Sequence, residues 1–198
     1  MAAQKNSQAS PEWEKRIANQ SYLISTDLKK IDVDFVGASF AGPDMYWAKA
    51  IPREELALML EHSVTLGLYK HSPDPSSPRT PSPTLEDRGD EIYKAEDLEQ
   101  IGLARFTTDR VTFAYLTDVY VSPAHRAGGL GSWLMACCKE WMDGLPFLRR
   151  SMLMASEGIG KAYYAKMFGM EDVAEHDSGL VCMTKRGPGS ALGGADKH

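Results

Sequence analysis

The chain of 198 residues lacks several features that would assign it to a class at once. No run of apolar residues approaches the roughly 20 needed to cross a bilayer, and the polar first ten residues lack the apolar core of a signal peptide. These absences predict a cytoplasmic protein without a membrane partner, with the nucleus as an open alternative. The net charge of −5 and the pI near 5.6 argue against nucleic acid as a partner.

Cysteine is also scarce. The three cysteines are Cys137, Cys138 and Cys182, and no C-x-x-C pair or His–Cys cluster indicates zinc. We therefore expect no metal site, and we expect thiols that pack as small apolar residues in a reducing compartment.

Two familiar phosphate loops are missing. A Rossmann fingerprint, G-x-G-x-x-G, read from Gly129 has Leu134 at its third glycine position. A Walker loop needs G-x-x-x-x-G-K-[ST], and the only Gly-Lys pair, Gly160-Lys161, is followed by alanine. Any phosphate site must therefore have another form.

A different glycine-rich turn is present, between a predicted strand at Thr112–Val121 and a predicted helix at Ser132–Met142. Its sequence, Arg126 to Ser132, has glycines at 128, 129 and 131, which leave no Cβ between a ligand and the main chain. The first N–H groups of the helix and its dipole favour an anion there, and Arg126 adds a positive charge. The pattern predicts a phosphate or pyrophosphate site.

The length suits one domain, which we expect at residues 12–186 between flexible tails at 1–11 and 187–198. Residues 71–90 contain five prolines among serines and charges, which predicts a flexible insertion. Hairpins in the first half and a crossover in the second predict a mixed sheet flanked by helices. The other predicted strands are Tyr22–Ser25, Thr65–Lys70, Ile101–Thr107, Ser151–Ala155 and Leu180–Lys185, and helices are predicted from Pro52 and over Gly160–Phe168.

The motif R-x-x-G-x-G, two residues after Val119-Tyr120-Val121-Ser122-Pro123, resembles the coenzyme A-binding motif of the GNAT superfamily of N-acetyltransferases. The resemblance extends upstream to the strand at Ile101–Arg105. Downstream it includes Ser151–Ser156 and the helix Ala162–Met170, which carries tyrosines and ends in a Gly-apolar pair. It covers residues 101–170.

The resemblance implies an α/β (α+β) fold with a central mixed, mostly antiparallel twisted sheet, helices on both faces, and a further helix over Ile31–Ala38. It implies an acetyl-CoA-dependent N-acetyltransferase that moves an acetyl group directly to a primary amine of a small molecule or peptide. The alternative is a non-catalytic acyl-CoA-binding module on the same fold. The identity of the amine and the formation of a homodimer stay open.

The same resemblance assigns roles to the motif residues. The backbone of Val119, Tyr120 and Val121 is expected to pair with the pantetheine arm of CoA. The pyrophosphate is expected to bind the loop, whose residues are Arg126, Ala127, Gly128, Gly129, Leu130, Gly131 and Ser132.

Tyr164 is the predicted acid for the leaving thiolate, because a phenol is neutral at pH 7. Tyr163 competes for this role, and both rings could instead pack in the core. Asp118 is the predicted base, with Glu157 or a water chain as alternatives. Either carboxylate could equally be a hydrogen-bonding or surface residue. Trp47, in an aromatic cluster with Tyr46, is predicted either to hold a cationic acceptor or to anchor the core.

Overall fold

The computed structural model describes residues 10–72, 93, 95–175, 179, 181–185 and 187 of the chain. Most of the predicted insertion (73–92) and of the two predicted tails (1–9 and 188–198) lies outside these residues. Within the described ranges, no helix has both the length and the apolar content that a membrane crossing requires.

A six-stranded sheet forms the centre of the fold, with the strands in the order in which they occur in the chain. The first four pairs are antiparallel and the last pair is parallel, which confirms the prediction of a mixed, mostly antiparallel sheet. The strands are β1 (Glu12–Ile17), β2 (Gln20–Ser25), β3 (Val64–His71), β4 (Leu98–Thr108), β5 (Phe113–Val121) and β6 (Arg150–Leu153).

The described residues form four α-helices that connect and cover these strands, and two of them begin at clear local signals. The Asp32 side chain accepts hydrogen bonds from two amides of the first turn of α1, and acidic side chains occupy the first turn of α2 after Pro52. The first of these helices confirms the one expected near residues 31–38. The helices are α1 (Val33–Ala41), α2 (Arg53–Glu61), α3 (Leu130–Asp143) and α4 (Ile159–Phe168).

The helices pack on both faces of the sheet, as predicted. Leu103 packs with α1 and α2, whereas its neighbour Ala104 packs with α3, because successive side chains of a strand point to opposite faces. Burial of each large apolar side chain in these two clusters contributes about 1.5–3 kcal/mol. The sheet is thus held from both sides, and its strand ends are fixed in position.

Two strand predictions differ from the structure. Strand β1 was not predicted, because four of its six residues are charged, a composition typical of an edge strand with one wet face. The strand predicted at Leu180–Lys185 is wrong over the described residues 181–185, which form no strand. No strand of the described residues pairs with them, and Val181 and Met183 are 80% and 88% exposed.

Candidate active site

Strands β5 and β6 separate at the level of the predicted CoA residues. Strand β6 pairs only with the first half of β5, from Phe113 to Leu116, and ends at Leu153. Strand β4 stays paired with β5 as far as Val121. Among the residues that the structure describes, the last residues of β5 therefore have one edge without a strand partner, where an extended ligand could pair with the main chain.

A bulge in β5 lies where the two strands separate. The register with β4 jumps between the pairs Leu103–Tyr120 and Arg105–Thr117, so that two residues of β5, Asp118 and Val119, oppose one residue of β4. Asp118 has a φ of 51°, in the left-handed region. The bulge changes the direction of β5 just before the motif residues.

The glycine loop, residues 126–132, connects β5 to α3. Its backbone enters the left-handed region at Ala127 (φ 69°) and at Gly129 (φ 76°). The first intrahelical bond joins the Trp133 amide to the Gly129 carbonyl at 3.0 Å, so the amides of residues 130–132 have no intrahelical acceptor. A Cβ added at Gly128 or Gly129 would meet no atom within 4 Å. Within the described part of the chain, the loop thus presents bare main chain and amides without an acceptor to open space, as an anion site requires.

Two side chains of this loop have different environments. Leu130 is only 3% exposed and fixes the start of α3 in the core. Arg126 is exposed, and its Nε donates to the Val121 carbonyl at 2.8 Å while its Nη2 pairs with Asp44 at 2.8 Å. The Arg126 guanidinium also lies 5.8 Å from the centre of the Tyr120 ring.

Asp118 is held by a polar network on the α1/α2 face. Arg105 donates to its Oδ2 from Nε at 2.8 Å and lies 2.6 Å away through Nη2. The Trp47 indole and the Thr117 hydroxyl both donate to Oδ1 at 3.3 Å. The Asp118 and Arg105 side chains are only 8% and 13% exposed, so this is a nearly buried ion pair.

Tyr164 lies on the opposite face, between α4 and α3. Its ring stacks on Phe168 with centroids 5.9 Å apart and meets Tyr163 edge-on at 5.3 Å. Burial raises the pKa of Tyr164, and the nearby Tyr163 and Cys138 raise it further. The phenol therefore stays protonated to a higher pH than in water.

The structure brings some predicted residues together and separates others. Val119, Val121 and Tyr164 pack against the same hydrophobic cluster, on the α3/α4 face. Tyr120 packs against the other cluster, as does Trp47, the indole donor to Asp118. The predicted acid and base thus lie on opposite faces of β5, and their catalytic roles stay predictions. Glu157 is exposed after β6.

A cavity of about 460 Å³ opens elsewhere, between the end of α2 and the start of β3. None of the residues predicted for CoA binding or catalysis is among the described residues that line it. The described residues also contain no cluster of three or more His, Cys, Asp or Glu side chains suited to a metal ion.

The sequence also matches known proteins, and these matches show the family of the chain. The acetyltransferase (GNAT) family profile matches residues 61–170, which include the splayed strands, the glycine loop and α4. The chain belongs to the GNAT family of acetyltransferases. A Gibberella zeae protein, provisionally named an acetyltransferase, is 37% identical over 171 residues, which cover 85% of this chain and 91% of that protein.

One solved structure agrees with this membership, and a second shares the fold. A Xanthomonas campestris protein assigned provisionally to the GNAT family is 26% identical, with a TM-score of 0.59 over 85% of this chain and 94% of its own. A Staphylococcus aureus protein shares the fold at 18% identity, with a TM-score of 0.51 over 83% of this chain and 99% of its own.

Two residues of the site were not identified from the sequence as site residues. Arg105 was noted only as the end of a strand, and Asp44 carried no signal, because it lies 82 positions before its partner Arg126. An ion pair between residues so distant in the chain follows from the packing of the sheet and helices. Trp47 was identified, and its indole bond to Asp118 favours the anchoring interpretation.

Proposed function

We propose that this GNAT member is an acetyl-CoA-dependent N-acetyltransferase that transfers the acetyl group directly to a primary amine of a small molecule or peptide. One observation carries the proposal: among the described residues, the edge of β5 at Val119–Val121 has no strand partner, and a short 3₁₀ turn at Pro123–His125 leads from it to the glycine loop and the first amides of α3. An extended amide-bearing arm followed by a diphosphate matches this order of backbone pairing and anion site.

Proton transfer is the second requirement of the reaction. Tyr164 is the proposed acid for the thiolate of CoA, since burial keeps its phenol protonated and it packs on the same face as Val119 and Val121. Asp118 is the proposed base for the amine, from the other face of β5. Its oxygens already accept bonds from Arg105 and Trp47, so it can take up a proton only after one of these bonds breaks.

Calorimetry with CoA tests the binding site. Gly129→Asp adds a side chain and a negative charge at the mouth of the loop, where the structure leaves open space. We expect CoA to bind at least tenfold more weakly, about 1.4 kcal/mol. Unchanged affinity in a folded Gly129→Asp variant would contradict the assignment of the loop.

Two controls separate charge from other effects. Gly129→Asn tests the strain of a side chain at φ 76° without adding charge, since Asn tolerates this region as Asp does. Gly144→Asp adds the same charge at the opposite end of α3, where an added Cβ makes only ordinary contacts. We expect a smaller loss for the first control and none for the second.

A thiol-release assay with acetyl-CoA and a panel of amines separates the enzyme from the non-catalytic alternative. The enzyme releases free CoA only in the presence of an amine acceptor. Tight CoA binding without release for small amines, lysine side chains or peptide N-termini would favour a binding module.

A further inference from the structure

Arg126 contacts three groups that belong to different parts of the site. Its Nε donates to the Val121 carbonyl and its Nη2 pairs with Asp44, each at 2.8 Å. Its guanidinium lies 5.8 Å from the Tyr120 ring centre. A single side chain thus joins the glycine loop, the end of β5 and the segment that contains Asp44.

That segment, residues 43–47, consists of a 3₁₀ turn at Pro43–Met45 followed by two aromatic residues. Met45 is only 1% exposed and fixes its middle in the core. Asp44 holds its beginning to Arg126, and the Trp47 indole holds its end to Asp118. The Asp44–Arg126 pair is the more exposed of these two attachments, with side chains 40% and 46% exposed, and is therefore the weaker one.

Under the proposed function, CoA requires groups that Arg126 now occupies. The Val121 carbonyl belongs to the residues expected to pair with the pantetheine arm, and the guanidinium lies at the rim of the anion loop. A diphosphate is a stronger partner for a guanidinium than one exposed carboxylate, because it carries more negative charge and has more acceptor oxygens. Asp44 therefore competes with the diphosphate for the Arg126 guanidinium, and Arg126 competes with the pantetheine arm for the Val121 carbonyl.

We propose that the Arg126–Asp44 pair is a latch that opens when CoA binds, so that cofactor binding releases the segment 43–47. Asp44 is then a positioning residue that makes the segment, which includes Tyr46 and Trp47, respond to the cofactor. The inference rests on the proposed function, since CoA is the ligand that opens the latch.

The sign of one mutational effect tests the latch. If Asp44 competes with CoA for Arg126, Asp44→Asn removes the competitor and CoA binds more tightly. If Asp44 instead holds Arg126 ready for CoA, the same variant binds CoA more weakly. For an exposed ion pair we expect a gain of about two- to fivefold.

Calorimetric CoA affinities of four proteins form a complete cycle: wild type, Asp44→Asn, Arg126→Ala and the double variant. We expect Asp44→Asn to tighten binding only where Arg126 is present. Asp143→Asn is the matched control, because it removes the same charge and breaks an exposed pair with Lys139 at the far end of α3. A gain no larger than that of the control, or an equal gain in the Arg126→Ala background, would overturn the latch.

Hydrogen exchange of the segment supplies a second readout. The Met45 and Ala48 amides donate to the carbonyls of Gly42 and Met45, at 3.4 and 2.8 Å. We expect both amides to exchange faster in the CoA complex of the wild type and in CoA-free Asp44→Asn. Unchanged or slower exchange in both would overturn the release of the segment. A wild-type protein that binds no CoA overturns the proposed function, whereas CoA binding without the Asp44→Asn gain overturns the latch alone.

Discussion

Asp118→Asn should lower the free energy of unfolding by about 3 kcal/mol. The Asp118 and Arg105 side chains are 8% and 13% exposed, and removing one charge of a buried pair costs about 3–5 kcal/mol. We expect a loss at the lower end of this range, because the asparagine amide oxygen can still accept hydrogen bonds from Trp47 and Thr117. A loss of this size is a large part of the roughly 5–15 kcal/mol that stabilises a typical domain.

Urea denaturation followed by circular dichroism measures this loss. With a slope of about 1–3 kcal/mol per molar urea, the midpoint should fall by about 1 M or more. The companion variant, Arg105→Met with Asp118→Asn, removes the stranded guanidinium and should recover at least half of the loss. A single Asp118→Asn variant within about 0.5 kcal/mol of wild type, or losses that simply add in the double variant, would refute the buried-pair reasoning.

The same double variant, Arg105→Met with Asp118→Asn, also tests whether Asp118 acts as the catalytic base. Because its fold is largely restored, a defect in turnover that persists at saturating acetyl-CoA reports the missing carboxylate rather than instability or weaker cofactor binding. Turnover about 10²-fold below wild type is the scale expected for one lost acid–base group, and would support Asp118 as the base. Turnover that returns with stability would limit Asp118 to anchoring the bulge.

The remaining predictions concern the acid and the thiols. Tyr164→Phe should keep CoA affinity and lower turnover about 10²-fold, with Tyr163→Phe as the control, and the reverse result would assign the acid to Tyr163. A thiol reagent at pH 8 should label only Cys182 in the native protein, because Cys182 is exposed whereas Cys137 and Cys138 are buried. Fast labelling of all three thiols without denaturant would contradict this prediction. Burial raises the pKa of Cys137 to about 12. The folded state therefore holds this proton more tightly than the unfolded state, and unfolding experiments should show stability falling as the pH rises above about 9.

The local sequence was sufficient for the motif half of the fold. Strand β5, the glycine loop and α3 were predicted within two residues, because glycines, β-branched residues and an apolar helical face occur together there. Strand β1 was missed because its alternating charges look like a solvated segment until a partner strand covers one face. The predicted strand at the C-terminal side failed over residues 181–185 for the converse reason, since β propensity without a partner strand is weak.

In the candidate site, too, some features could be predicted from the local sequence and others could not. Backbone features such as the loop and the free strand edge follow from nearby residues, so the sequence predicts them. Side-chain partners do not follow from nearby residues: Arg105 reaches Asp118 from the neighbouring strand, and Asp44 reaches Arg126 from another segment. From the sequence, Asp118 could be predicted as a carboxylate on the CoA-binding strand. The sequence does not show that its oxygens already accept hydrogen bonds from Arg105 and Trp47, one of which must break before Asp118 can take up a proton.

The Arg105–Asp118 pair also links the two faces of the site. A left-handed non-glycine residue costs roughly 1–3 kcal/mol and persists only where its surroundings fix it. Asp118 has this conformation, with a φ of 51°, and its side chain is fixed by Arg105 and Trp47. The bulge it forms directs Val119–Val121 away from β6, so the free edge depends on a pair on the opposite face from α3.

Arg105→Met should therefore weaken CoA binding, although Arg105 belongs to neither the strand edge nor the loop proposed to bind CoA. Calorimetry at a temperature where the variant is folded checks this, and wild-type CoA affinity would mean that the bulge persists without its ion pair.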